Sequence, residues 1–251
     1  MLFLHLTLAN LKMIVRNRQA LFWALAFPLV FVFIFALIGS FTVSVDTIGV
    51  VGHVDYADFV LPGIVLWGIM SNSVMGIAVA LANYREKKIL RRIKASPMKA
   101  RTFFAAQVSA YLVLSLVQAA MLFGIGSPLM GVSISGSLPT IALLILVCNV
   151  VFLNLGFIVG AFSRTGAAAS GMGNVIVLPL VMFSGVFFSP ELLPNLLANI
   201  MRFLPLAPMV EILRGVTLSD RPLMDFPLEL GLIVAWIALT SLIATRVFKL
   251  E

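Results

Sequence analysis

The chain has 251 residues, of which 61% are hydrophobic and only 11% charged, whereas a soluble domain carries about 45–50% apolar and about 25% charged residues. With a mean hydropathy of +1.12, it holds more apolar surface than a soluble globule of this size can hide, which excludes a soluble enzyme, a disordered chain and a nucleic-acid binder that uses its whole surface. The net charge of +7 comes from 17 Lys+Arg against 10 Asp+Glu, and its meaning depends on where those charges fall.

Residues 2–18 come first. Leu4, Leu8, Leu11 and Val15 recur at helical spacing, with His5, Lys12 and Arg16 on another face. Two readings fit: an amphipathic helix lying at headgroup level, or a basic leader to the first span. Stretches free of Asp, Glu, Lys and Arg then run over 19–45, 59–84, 102–163, 165–190 and 230–245. A bilayer core takes about 20 apolar residues per helix, so the third stretch is too long for one span. Its middle, from Gly124 to Pro139, is rich in Gly, Ser and Pro and reads as a loop. Six spans are predicted, near 20–40, 60–82, 103–125, 139–162, 171–189 and 229–247. They are helical, because the apolar residues come in blocks without the alternation of a barrel strand. The first span is an anchor, with no cleavage site after it. Cys148, the single cysteine, lies in the fourth span, so no disulfide forms within the chain.

Between the second and third spans, residues 84–96 predict a short amphipathic helix with Ile89, Leu90 and Ile93 on a narrow apolar face ringed by basic residues. Ser96-Pro97 supplies an N-cap and a first-turn proline for the next helix. This loop reads either as a basic segment lying on anionic headgroups or as a docking helix whose Ile89, Leu90 and Ile93 fill a partner's groove. Before the last span, Ser189-Pro190-Glu191 starts a helix by the same logic, Leu204-Pro205-Leu206-Ala207-Pro208 breaks it, and a second helix carries Glu211 and Arg214. Segment 190–216 is too apolar for a free loop and too short in its pieces to span, which predicts a re-entrant hairpin packed in protein. Glu211 and Arg214 are three apart, placed to pair with each other or to serve as a gate or substrate contact.

Six spans put both termini on one side. That side holds fourteen of the seventeen Lys+Arg but only Glu86 and Glu251 among the acidic residues. Positive loops stay inside, so both termini are expected in the cytoplasm. Eight of these cations belong to the loop 83–101. The charge excess is a topology signal concentrated on one segment.

Covalent chemistry has no foothold. The sequence contains no Gly-x-x-x-x-Gly-Lys-Ser/Thr phosphate loop, no Gly-x-Ser-x-Gly elbow and no metal-spaced histidine pair, His5 and His53 being far apart. Catalytic, cofactor-binding and metal-binding residues are therefore expected to be none. The spans hold essentially no ionisable residue at mid-depth, where a proton or ion relay would need one. A self-standing secondary carrier or channel, the alternative class, would show internal repeats or such charges. Polar residues do occur in the spans: Ser71, Asn72 and Ser73 in the second, Gln107, Tyr111, Ser115 and Gln118 on one face of the third, Asn149 and Asn154 in the fourth, and Asn174 and Ser184 in the fifth. They serve either as hydrogen bonds between helices or as the lining of a path. Gly156 and Gly160, four apart, allow close helix approach.

The run Arg85-Glu86-Lys87-Lys88-Ile89-Leu90-Arg91-Arg92-Ile93-Lys94-Ala95-Ser96-Pro97 resembles the first inner loop of ABC-2 type permeases, the membrane subunits of ATP-driven exporters. That family often has Gly-Thr where this chain has Lys88 and Ile89. The resemblance covers nearly the whole chain and is most specific in this loop. It implies an all-α membrane protein with one permease domain over 1–251: an amphipathic N-terminal helix, six spans, a cytoplasmic coupling helix and an outer re-entrant hairpin. Carried onto this sequence, the residues coupling to the ATPase would be Arg85, Glu86, Lys87, Ile89, Leu90, Arg91, Ile93, Ser96 and Pro97. The hairpin would hold Pro190, Glu191, Pro208, Glu211 and Arg214. The path would draw on Asn72, Gln107, Tyr111, Ser115, Gln118, Asn149 and Asn154. Expected partners are a separate ABC ATPase that binds ATP and Mg, a second permease chain in a homo- or heterodimer, and lipid, in the plasma (inner) membrane of a bacterium or archaeon. The expected substrate is amphiphilic (drug, antibiotic or lipid-like), with lipid-linked saccharide or ions as the alternative cargo.

Overall fold

A computed structural model of the chain describes residues 2–40, 56–95, 98, 100–187 and 195–247. Ser96, Pro97, Pro190 and Glu191, on which parts of the sequence reading rest, lie outside the described residues. Among the described residues every regular element is helical.

The chain opens with α1 (Leu2–Arg16), turns at Asn17, and continues through α2 (Arg18–Leu21), a π-helical turn (Phe22–Ala26) and α3 (Phe27–Ser40). Pro28 accounts for the π turn. It has no N–H to give Ala24, and its ring would clash with that carbonyl, so the ladder widens and Phe27 N–H bonds Phe22 O instead. α4 (Tyr56–Glu86) is the central column, buried along most of its length against α3, α6, α7, α8 and α10. The short α5 (Ile89–Lys94) folds back on its end. α6 (Ala100–Met130), α7 (Leu138–Phe162) and α8 (Gly166–Met182) follow. α9 (Asn195–Arg202) and α10 (Leu206–Ser219) form a helical hairpin, a 3₁₀ turn spans Leu223–Asp225, and α11 (Pro227–Val247) closes the chain against α7.

Four of these helices, α4, α6, α7 and α11, are long and apolar enough to cross a bilayer. The first and fifth predicted spans are shorter apolar helices, Phe22–Leu37 and Gly166–Met182. At 1.5 Å per residue, α8 covers about 25 Å. It starts earlier than the predicted 171, because Thr165 caps it by accepting from Ala168 N–H at 3.2 Å. It ends at Met182, ahead of the predicted 189, with Gly185 in the left-handed region at φ 71°.

The predicted loop after residue 125 is a correction. Gly124, Gly126, Ser127 and Pro128 all belong to α6, which runs on to Met130. Its end is a Schellman closure in which Gly131 takes φ 71° and Val132 N–H reaches Ser127 O at 2.9 Å. Composition suggested a loop, but packing against α4 and α3 keeps the helix going.

α4 and α7 meet most intimately. A Cβ on Gly156 would lie 2.9 Å from Val74 O, and one on Gly160 would lie 2.9 Å from Leu81 Cβ. The Gly156/Gly160 pair thus makes the seam expected of small residues four apart. α11 shows a single inward stripe, Ile233, Thr240 and Ala244. α1 is two-sided: Asn10 is buried against the bundle, while Leu4, Leu8 and Val15 stay exposed as an apolar stripe.

Candidate functional site

A cavity of about 710 Å³ opens between α1, the π turn, α4, α6 and α8. One face of α4 builds its back wall. Gly68, Ser71, Asn72, Met75, Gly76, Val79 and Asn83 recur at steps of three and four, and small or polar side chains there leave room. Gly76 is required by this arrangement, since a Cβ would collide with the ring of Tyr111 from α6. The π turn brings Trp23 and Ala24 to the opposite wall, and Phe27 of α3 beside them has its ring centroid 5.8 Å from that of Trp67. Trp23 and Leu178 of α8 are more than half exposed, so they mark the rim. The cavity lies toward the end of the bundle that carries the basic loop, since Asn83 and Tyr84 line it just before that loop begins.

Among the described residues, no Asp, Glu, Lys, Arg or His lines this space. Its polar lining consists of the side-chain amides of Asn10, Asn17, Asn72, Asn83, Gln107 and Asn174, with Ser71 and the phenols of Tyr84 and Tyr111. Asn10 and Gln107 are each only 5% exposed. Among the described residues, Asn10 Nδ2, Asn72 Nδ2 and Gln107 Oε1 have no hydrogen-bond partner, which is equally true of Ser73 Oγ, Ser184 Oγ and both amide atoms of Gln118 and Asn149 away from the cavity. A buried polar atom normally has one.

The sequence-derived path residues separate. Asn72, Gln107 and Tyr111 meet in this cavity. Ser115, Gln118, Asn149 and Asn154 do not line it. Ser115 Oγ bonds Leu112 O at 2.8 Å. Gln118 is fully buried behind Gly68, and Asn149 is fully buried in α7. Asn154 Nδ2 ties α7 to α11 through Ser241 Oγ at 2.8 Å and Thr240 Oγ1 at 3.2 Å. The shared face of α6 therefore divides: its first half reaches the cavity and its second half enters the core. Asn10, Trp23, Trp67 and Gly76 escaped the sequence reading. The three-and-four recurrence of small and polar residues on α4 was the signal that could have found the wall.

The basic loop also differs from expectation. Arg85 and Glu86 are the last turn of α4, so the continuous helix over 84–96 is broken at Lys87-Lys88. Lys88 sits at φ 56°, the left-handed region, and this is where the resembling family often carries glycine, the residue that adopts it without strain. Leu90 and Ile93 are 1% and 6% exposed, packed with Leu81, Tyr84, Phe103, Phe104 and Phe157. The apolar face expected to fill a partner's groove is used inside the chain, because burial against α4 and α6 removes it from water. What faces outward is charged: Glu86, Lys87, Lys88, Arg91 and Arg92 are all exposed, and Ile89 is half-buried. Arg85 is turned inward, its Nη1 donating to Gly160 O at 3.2 Å, Ala161 O at 2.9 Å and Ser163 O at 3.0 Å. It caps the last carbonyls of α7.

At the other end of the bundle, Arg214 of α10 donates through Nε to Phe59 O at 2.7 Å, and through Nη2 to Gly185 O at 2.7 Å and Val186 O at 3.2 Å. Its guanidinium lies 3.5 Å from the Phe59 ring centroid. Loss of solvent pushes its pKa down to about 9, with Glu211 opposing, which still leaves it charged at neutral pH. The expected ion pair with Glu211 gives way to these carbonyls, and Glu211 is exposed. Pro208 is buried in the first turn of α10, where its missing N–H costs nothing. Arg214 therefore clamps α10 to the start of α4 and the turn after α8.

A profile of the ABC-2 type transporter family matches residues 1–218. The chain is 22% identical over 200 residues to the transport permease YvfS of Bacillus subtilis (strain 168), covering 79% of this chain and 78% of that one. It is 23% identical over 190 residues to the inner membrane transport permease YadH of Escherichia coli (strain K12), covering 75% and 73%. It is also 26% identical over 113 residues to nodulation protein J of Rhizobium leguminosarum bv. viciae, covering 45% and 42%.

Proposed function

The chain belongs to the ABC-2 type transporter family, and on that footing we propose that this membrane transport subunit is the permease of an ATP-driven exporter. It crosses the inner membrane six times with both termini in the cytoplasm and pairs with a second permease chain. A separate ABC ATPase supplies the energy, holding the ATP and Mg. The cavity between α1, α4, α6 and α8 belongs to the translocation path, and the outward cations of the first loop meet the ATPase.

The observation that carries this reading is the coincidence of two features at one end of the bundle: an uncharged cavity of about 710 Å³, and the exposed Lys87, Lys88, Arg91 and Arg92 immediately after its wall helix. α4 is one 31-residue helix that lines the first and ends at the second. Displacement of the loop by a closing ATPase pair would move the cavity wall as a lever. α8 moves with it, since Arg85 of α4 holds the α7 terminus that leads into α8.

The test is co-expression with the ATPase encoded beside it. Stoichiometric co-purification is expected, with hydrolysis changed by the permease. Reversing charge at three exposed positions (Lys87→Glu, Arg91→Glu, Arg92→Glu) should abolish both while the permease still folds. Co-purification that survives the triple reversal would overturn the docking assignment, and no co-purification at all would overturn the transport-subunit proposal. Leu90→Asp is a poor probe here, because a buried side chain reports folding rather than docking.

A further inference from the structure

We infer that the outer side of α1 is a docking surface for anionic phospholipid, and that the bound headgroups hold this helix in place as a wall of the bundle. This requires only that the chain sits in a bilayer, not that it exports.

α1 presents three faces. The first turns inward: Asn10 is buried, and Ile14 joins Leu21 in a cluster with Ile77 of α4 and with Tyr111 and Leu114 of α6. The second is an apolar stripe of Leu4, Leu8 and Val15, each more than half exposed. The third is cationic. Lys12 stands one turn after Leu8 and Arg16 one turn after Lys12, so the cations rim the stripe, and Arg18 follows the turn at Asn17. All three cations are exposed. No Asp or Glu precedes Asp46 in the chain, and among the described residues none of the three cations is in an ion pair.

Depth selects the partner. Asp58 lies in the first turn of α4, and a carboxylate there stays outside the hydrocarbon. About 20 residues of helix cross the core of about 30 Å, which brings its other edge near Ala78. Ile14 packs at Ile77, so Lys12, Arg16 and Arg18 flank that edge at headgroup level. Phe22 and Trp23 are more than half exposed and lie about 7 Å further along the helix than Arg18. Exposed aromatic residues suit that boundary. Lys87 and Lys88 are elsewhere. They follow Glu86, the end of α4, about 12 Å beyond Ala78, whereas headgroups occupy about 5–7 Å on each side. A water-soluble partner would meet the α1 cations but leave Leu4, Leu8 and Val15 bare. Anionic lipid satisfies both, with phosphate on the cations and acyl chain on the stripe.

Trp23 reports on this layer. A Trp67→Phe, Trp236→Phe variant leaves it as the single tryptophan. In nanodiscs of phosphatidylcholine and phosphatidylglycerol at equal mole fraction, bromine is placed on the tails of one lipid or the other. Stronger quenching by the brominated phosphatidylglycerol is expected. The relative association constant should be about 5- to 25-fold, from about fivefold per cation that a headgroup meets. The Lys12→Gln, Arg16→Gln, Arg18→Gln variant should lose this preference, while Lys12→Arg, Arg16→Lys, Arg18→Lys keeps it. Salt at about 0.5 M should weaken it, and millimolar inorganic phosphate should not. The Lys87→Glu, Arg91→Glu, Arg92→Glu reversal should leave it unchanged. Backbone amides of 8–16 should exchange severalfold more slowly in discs containing phosphatidylglycerol than in phosphatidylcholine alone, and the glutamine variant should lose that difference.

Equal quenching by the two lipids overturns the inference. So does a preference that survives in the glutamine variant, that vanishes in the lysine–arginine exchange, or that vanishes in the α5 reversal. Displacement by inorganic phosphate would make this a free-anion site and overturn the lipid assignment. Equal α1 exchange in the two kinds of disc overturns the holding role. A glutamine variant that loses a co-purifying ATPase while keeping its lipid preference would make α1 a protein contact instead.

Discussion

Arg85→Met removes a cap that joins the basic loop to the turn between α7 and α8. Its Nη1 lies 2.9–3.2 Å from three carbonyls, those of Gly160, Ala161 and Ser163. One nitrogen carries two hydrogens, so the three contacts amount to two full bonds. Hydrogen bonds from a charged donor contribute about 1.5–3 kcal/mol each, and Arg85 is half-buried, which favours the lower end because solvent screens it. The loss is therefore about 3 kcal/mol. At roughly 2–4 °C per kcal/mol for a chain of this size, thermal unfolding in detergent should fall by about 6–12 °C. Arg85→Lys keeps a charge beside the α7 terminus, worth about 0.3–1 kcal/mol, but loses the planar fork, so it should recover less than half of the deficit. Backbone amides of 165–169 should exchange faster in Arg85→Met, since the cap holds the turn that starts α8. Unchanged melting and exchange in Arg85→Met, or an Arg85→Lys chain indistinguishable from wild type, would refute the assignment of Arg85 as a structural cap.

Four other outcomes follow from the same geometry. Lys88→Gly relieves a left-handed residue at φ 56° and should raise stability by up to about 1 kcal/mol; a lower melting temperature would count against that conformation. Gly160→Val forces branched bulk into a seam where a Cβ alone already lies 2.9 Å from Leu81, so a loss of about 1–3 kcal/mol is expected, and a stable Gly160→Val chain would contradict the α4–α7 contact. Arg214→Met frees three carbonyls at the α4–α8–α10 junction and should cost about 3 kcal/mol, with a loss below 1 kcal/mol opposing the clamp. Topology is checked by Met224→Cys. Met224 is 86% exposed, and the native Cys148 is fully buried and silent. An impermeant maleimide should label intact cells, and labelling only after permeabilisation would invert the orientation.

The sequence by itself determined the all-helical membrane class. That property is a sum over many residues, 61% of them hydrophobic, so no single contact can overturn it. α7 and α11 lie within two residues of their predicted bounds at both ends, because each coincides with a continuous apolar block, and for α7 Ser137 and Ser163 mark the two caps. The Gly156/Gly160 seam was legible for a related reason: its spacing of four is itself the geometry of one helix face.

The tertiary structure decided which way each face points, and there local pattern fails. Leu90 and Ile93 stand out as an apolar face whether they meet a partner or their own chain. Only the proximity of Leu81, Phe103 and Phe104 turns them inward and leaves the cations as the outer surface. Gln107 and Gln118 share a stripe on α6, yet one faces a cavity and the other the core, because α4 offers Tyr84 and Gly76 beside the first half and Gly68 in direct contact with Gln118 at the second. Gly126 and Pro128 signal a loop in isolation, but Gly126 packs against Leu61 of α4 and Val32 of α3 and the turn stays helical, with Pro128 exposed. A residue's type fixes what it can bond. Which partner lies within 3 Å depends on helices far away in the sequence, and that is where the cavity of this permease is made.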